Sequence, residues 1–211
     1  KAIDTIGRVK LPVMVTKSSG GPNNRSVSQR ARPYPLQDGW AATADGRVAL
    51  LRAPEYRVDW VSPSRQLSKG RPIPVKPVTI GRAEKEEWVA DQATNGLSVQ
   101  VQNRNGEVSM AFSRGRGNDD DAPKLDDLEW PASKPPLTGT TAAAPDGSLW
   151  IERSVPKGAA RVFDVFSPTG ELAMRVTLPV GRRLVAVGKN GVYAREIDDN
   201  DASWLERYDW R

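Results

Sequence analysis

The 211-residue chain contains no cysteine and no histidine. This excludes disulfides, Cys or His metal sites, a Ser-His-Asp triad and a cysteine nucleophile. Catalysis would have to rest on Asp, Glu, Lys, Tyr or Ser. The missing cysteines leave the compartment open, because oxidising and reducing compartments both tolerate their absence. Acidic residues are also missing over one long stretch. None stands between Asp4 and Asp38, where Arg8, Lys10, Lys17, Arg25, Arg30 and Arg32 fall. No apolar run approaches the roughly 18 residues that a membrane span needs. No secretory leader is visible, and Lys1 stands where an initiator Met would, which predicts a processed chain or a piece of a longer one.

What is present reads as globular and β-rich. Hydrophobic residues make up 38% and charged residues 27%, outside the range of disordered chains. Residues 1–116 hold 19 Lys and Arg against 10 Asp and Glu, a net of +9; residues 117–211 hold 12 against 16, a net of −4. The basic stretch at residues 17–37 is rich in Ser, Gly, Pro and Asn. It predicts an extended arm suited to an acidic protein or to anionic lipid headgroups. A polar insertion at residues 114–136 is the second irregular segment. Short β-branched runs at 2–9 and 11–16 predict strands. Residues 82–92 predict the single short helix, with acids in its first turns.

One phrase occurs twice. "TADGRVALLRAPEYRVDWVSPS" (43–64) is echoed by "APDGSLWIERSVPKGAARVFDVFSPT" (144–169). Asp45-Gly46 matches Asp146-Gly147, and "VDWVSP" matches "FDVFSP". Each Asp-Gly predicts a two-residue type I′ hairpin turn. Hairpin turns then fall near residues 45, 105, 146 and 190. A four-stranded unit recurring every forty-odd residues is the sequence sign of a β-propeller blade. The expectation is one all-β domain over residues 1–211, a β-propeller or partial propeller of three to four antiparallel blades. The echo at 144 is read as a blade two steps round from the first.

These phrases, with "RLVAVGKNGVYA" and "DDNDASWLERYDW", resemble the secreted six-bladed β-propeller proteins of bacteria, related to NHL-repeat and TolB-like propellers. The resemblance runs from about Pro33 onward and covers about half of such a ring. It implies the fold and an extracytoplasmic setting, periplasmic or secreted, and supplies no catalytic motif.

The acidic loops 118–122 and 198–201 lack the alternating spacing of a Ca²⁺ loop and read as solvated turns. "SRGRGN" (113–118) is not a phosphate-binding loop. Asp59 and Asp164 hold equivalent places in the repeated phrase, and residues repeated per blade are structural in the first instance. No catalytic residue, metal or cofactor is assigned, and the chain is expected not to be an enzyme. The expected role is an extrinsic scaffold subunit of a larger assembly, such as a photosynthetic or respiratory membrane complex, with other protein chains as partners. Nucleic acid is not expected, since no recognised binding signature is present. Partner-binding candidates are Lys17, Arg25, Arg30, Arg32, Tyr34, Arg114, Arg116, Trp130 and Trp210. The alternative is a propeller hydrolase or lyase, or a sugar- or peptide-binding propeller, using Asp and Glu.

Overall fold

The computed structural model describes residues 4–21, 24–95, 97–104, 107–114, 124–197 and 202–210. In chain order the elements are β1 (Met14–Gly21), β2 (Asn24–Ala31), β3 (Gly39–Ala42), β4 (Val48–Arg52), β5 (Arg57–Val61), β6 (Leu67–Ser68), α1 (Arg82–Asn95), β7 (Leu97–Arg104), β8 (Glu107–Arg114), β9 (Leu137–Ala143), β10 (Leu149–Arg153), β11 (Val162–Phe166), β12 (Leu172–Thr177), β13 (Arg183–Val187), β14 (Gly191–Ile197) and β15 (Ser203–Asp209). All ladders between them are antiparallel. The fold is all-β with one helix, as expected.

The repeated phrase builds two equivalent sheets, β3-β4-β5-β6 and β9-β10-β11-β12. Their turns differ from the type I′ expectation. Gly46 N–H donates to the Thr43 carbonyl at 3.0 Å, and Gly147 N–H to Ala144 at 3.0 Å. Positive φ is confined to Gly46 (82°) and Gly147 (81°), while Asp45 and Asp146 keep negative φ. This is a type I turn closed by a left-handed glycine, the three-residue hairpin. The carboxylates serve the turn: Asp45 accepts from Thr43 Oγ1 at 2.5 Å, and Asp146 from Ser148 N–H at 2.9 Å.

The two copies are neighbours, not two steps apart. Their first strands β3 and β9 lie side by side, and β13 follows beside β9. One core joins the first two sheets, with Ala49, Leu51, Val58 and Trp60 against Leu137, Leu149, Ile151 and Phe166. Period-2 alternation sends the other face of the second sheet to the third, β13-β14-β15. There Trp150, Phe163 and Val165 meet Val187, Val192 and Ala194. The second sheet is therefore covered on both faces, which explains the unbroken apolar run "LWI" in β10. Gly170 sits where a Cβ would stand 2.8 Å from Trp60 Cδ1, and its φ is 87°. The glycine closing the second copy lets the two sheets approach.

The chain divides into two compact units: unit 1 holds Lys1–Leu11, Leu36–Val78 and Pro135–Arg211, and unit 2 holds Pro12–Pro35 and Thr79–Lys134. The three blade-like sheets belong to unit 1. Unit 2 is supplied by two interruptions of that series, which differs from the single domain expected. Its sheet runs β1-β2-β7-β8. The arm expected at 17–37 is thus largely the hairpin β1–β2, because β2 pairs with β7 over six residues, Asn24 opposite Arg104 through Gln29 opposite Val99. The hairpin 97–114, read as a blade of its own, belongs here too. Helix α1 opens on a capping box half: the Glu84 carboxylate reaches back to accept from Gly81 N–H at 3.1 Å. Residues 4–13 form no strand, so the run expected at 2–9 is absent among its described residues, and the run expected at 11–16 is strand only from Met14.

Candidate functional site

The repeated carboxylates are neutralised where they stand. Asp59 accepts from Arg52 Nε (3.1 Å), Arg57 Nε (2.9 Å) and Gly70 N–H (3.2 Å). Burial pushes its carboxyl up, but the hydrogen bonds from Arg57, Arg52 and Gly70 outweigh this and hold it below the ordinary range. Asp164, fully buried, accepts from Tyr56 Oη at 2.7 Å and Arg175 Nε at 2.7 Å, with Arg153 Nε at 3.7 Å. Tyr56 comes from the first sheet and Asp164 from the second. Asp164 therefore ties the second sheet to the first, whereas the partners of Asp59 all come from its own copy of the repeat. Burial and the bond to Asp164 push the Tyr56 phenol up.

A depressed folded pKa has a definite acid signature. The stabilisation by Asp59 is complete above the unfolded carboxylate range, near 4, and is lost as pH falls through the folded value. Urea midpoints of the wild type should therefore drop between about pH 5 and pH 2. Asp59→Asn should start lower at pH 7 and lose less over that window. Parallel pH curves for the two proteins would remove Asp59 from the acid response.

Three of the nine predicted partner-binding residues, Arg32, Tyr34 and Trp130, engage the segments packed beside α1 in unit 2. Tyr34 lies 6.3 Å from Trp130 between ring centroids, and Trp130 lies edge-on to Trp88 at 5.6 Å. Tyr34 Oη donates to the Glu84 carbonyl at 2.6 Å, and Arg32 pairs with Glu129 at 3.3 Å. The Lys85 and Lys134 ammonium groups stand over the Trp130 and Tyr34 rings. Burial, then Glu87, Glu84 and Asp91, push the Tyr34 phenol up, so it stays neutral. These residues fasten 32–35 and 124–134 to α1. Lys17 lies in β1, Arg25 and Arg30 in β2 and Arg114 at the end of β8. Arg116 and both acidic loops fall outside the described residues. Among the described residues no acidic cluster is arranged for a metal ion, and no helix is long and apolar enough to cross a membrane.

Trp210 belongs to a different place. Its N–H donates to the Asn190 carbonyl at 3.3 Å, which carries the β14–β15 ladder one residue further. Its ring lies 5.8 Å from Trp150 and is 46% exposed. Together they line a cleft of about 770 Å³ between the second and third sheets, with Pro145, Pro168, Met174 and Lys189.

Beside that cleft runs β15, the last strand of the third sheet. The first two sheets have four strands and the third has three. Among the described residues nothing pairs with the outer edge of β15. Trp204 (59% exposed) and Leu205 (68%) lie on this strand. On its half-buried side, Arg182 grips Glu206 with two bonds of 3.0 Å, Tyr208 Oη donates to the same carboxylate at 2.6 Å, and Arg182 reaches Glu196 at 2.7 Å.

No protein-family model matches the chain, and no curated protein matches it. Among solved structures, a catalytically inactive variant of virginiamycin B lyase from Staphylococcus aureus, solved with quinupristin, aligns over 93% of this chain and 89% of its own, at 10% identity and a TM-score of 0.20. That protein is a β-propeller. The expectation that the chain is not an enzyme is corrected by this comparison, since the aligned protein is a lyase. At this identity and TM-score no residue role passes from one chain to the other.

Proposed function

We propose that the chain is a protein-interaction module, an extrinsic subunit held against a larger assembly outside the cytoplasm. The observation that supports this reading is the cleft of about 770 Å³ in unit 1, walled by the half-exposed Trp210 with Pro168 and Met174, beside the exposed Trp204 and Leu205. Exposed aromatic and aliphatic side chains around a cleft are a surface that a partner chain covers. The extracytoplasmic placement rests on the resemblance to secreted propellers.

The test is recovery of the tagged chain from its source cells after mild solubilisation, followed by mass spectrometry. Partner chains should co-purify and should be lost on Trp210→Ala. Recovery of the chain alone, or of the same partners with Trp210→Ala, would sink the proposal.

A further inference from the structure

The first copy of the repeat carries a cation that the second copy lacks. At its turn, Asp45 Oδ1 accepts from the Arg47 backbone N–H at 3.3 Å, and Asp45 Oδ2 accepts from Arg47 Nε at 2.7 Å. The Arg47 guanidinium lies 4.7 Å from the centre of the Trp60 ring and donates to the Pro168 carbonyl, in the turn between β11 and β12. One carboxylate, one indole and one guanidinium therefore fill the seam between the first and second sheets.

The second copy keeps the carboxylate and the indole. Asp146 Oδ1 accepts from the Ser148 backbone N–H at 2.9 Å, as Asp45 Oδ1 does from Arg47. Ser148 holds the place of Arg47, so among the described residues no side chain donates to Asp146 Oδ2 as Arg47 Nε does to Asp45 Oδ2. The indole stays on the same rung and changes strand: Ala49 faces Trp60 across β4 and β5, and Trp150 faces Val165 across β10 and β11. Asp146, Ser148, Trp150 and Val165 all line the cleft. The cleft thus opens beside the position that the Arg47 side chain occupies one sheet earlier. Trp210 stands on Trp150 and is itself nearly half exposed.

Resting on the reading of this cleft as a docking surface, we infer that it is a guanidinium site, and that the partner chain is held through an arginine side chain inserted there. The arginine pairs with Asp146 Oδ2 and lies against the indole wall, as Arg47 does with Asp45 and Trp60. A planar guanidinium can stack on an indole and still point N–H groups at a carboxylate, which a lysine ammonium does less well. Lys189 also lines the cleft, and no ion pair joins it to Asp146 among the described residues. Its charge opposes the incoming cation.

The probe is the peptide Gly-Gly-Arg-Gly-Gly with both ends blocked, titrated into the full chain. Nitrogen–proton NMR follows the indole N–H signal of Trp210, which is the one missing from Trp210→Ala. That signal should shift and saturate at millimolar peptide, the strength of a single side chain. A lysine peptide should bind several-fold more weakly, and a citrulline peptide should not bind. Asp146→Asn keeps the acceptor for Ser148 N–H and should weaken binding roughly tenfold. Ser148→Arg supplies the guanidinium from within and should abolish binding. Lys189→Gln should keep or tighten it. Urea midpoints confirm that each variant is folded. Equal binding of the arginine and citrulline peptides, or unchanged affinity in Asp146→Asn, would overturn the guanidinium site. If partner chains are lost on Trp210→Ala but retained by Asp146→Asn and Ser148→Arg, the docking cleft stands and the arginine falls. If no partner co-purifies while the arginine peptide binds as described, the guanidinium site is supported and the subunit reading falls.

Discussion

Asp164→Ala is expected to lower the stability of unit 1 by about 3 kcal/mol, the low end of what breaking a buried ion pair costs. The carboxylate is fully buried and is shared by Tyr56 Oη, Arg175 and Arg153. Its removal strands a hydroxyl from the first sheet and a guanidinium from the second at one seam. Arg175 is about half exposed (47%) and recovers water, which keeps the cost from reaching the top of that range. The matched change Asp59→Ala should cost less. Arg52 keeps Asp38 at 2.9 Å, and Arg57 keeps Glu55 at 3.5 Å, so neither cation is orphaned. Adding Tyr56→Phe to Asp164→Ala removes the unpaired hydroxyl and should return about 1 kcal/mol, read as a coupling in a double-mutant cycle. Urea unfolding followed by tryptophan fluorescence measures the wild type, Asp164→Ala, Tyr56→Phe, their double variant and Asp59→Ala. Equal losses at Asp164 and Asp59 would show that the tie between sheets through Tyr56 contributes nothing.

The same pair shows what was legible in sequence. The phrase containing Asp59 and Asp164 recurs because two adjacent sheets solve one packing problem. Its strands, its turns at 45 and 146 and its proline positions are local chemistry and could be read directly. The exact turn type could not, because Asp-Gly serves both a type I′ turn and a type I turn closed by glycine. Adjacency was hidden by the hairpin 97–114, whose alternation is that of any blade hairpin. Its partner β2 lies more than sixty residues earlier in the chain, and no local signal in a Ser- and Arg-rich strand names a distant partner. Tyr34 and Trp130 were expected on a partner surface, and the fold uses both to hold α1.

The second large effect is expected at Trp150. Trp150→Ala should cost about 4 kcal/mol, within the range for removing a buried aromatic. The ring is 2% exposed, lies 6.2 Å from Phe163 between centroids, and joins the core that holds the second and third sheets together. A cavity there has no easy way to close, since Phe163, Val165 and Val192 are themselves fixed by ladders on two sheets. Trp210→Ala removes the other wall of the same cleft, but that ring is nearly half exposed and belongs to the end of an edge strand. Its cost should be about 1 kcal/mol, in line with partial burial. The two variants separate structure from docking. Trp150→Ala should shift the urea midpoint strongly and lose partners only because unit 1 loosens. Trp210→Ala should leave the midpoint nearly in place, while partner recovery falls. Equal shifts in midpoint would mean that Trp210 is a core residue, and the cleft would then have no free aromatic wall to offer a partner.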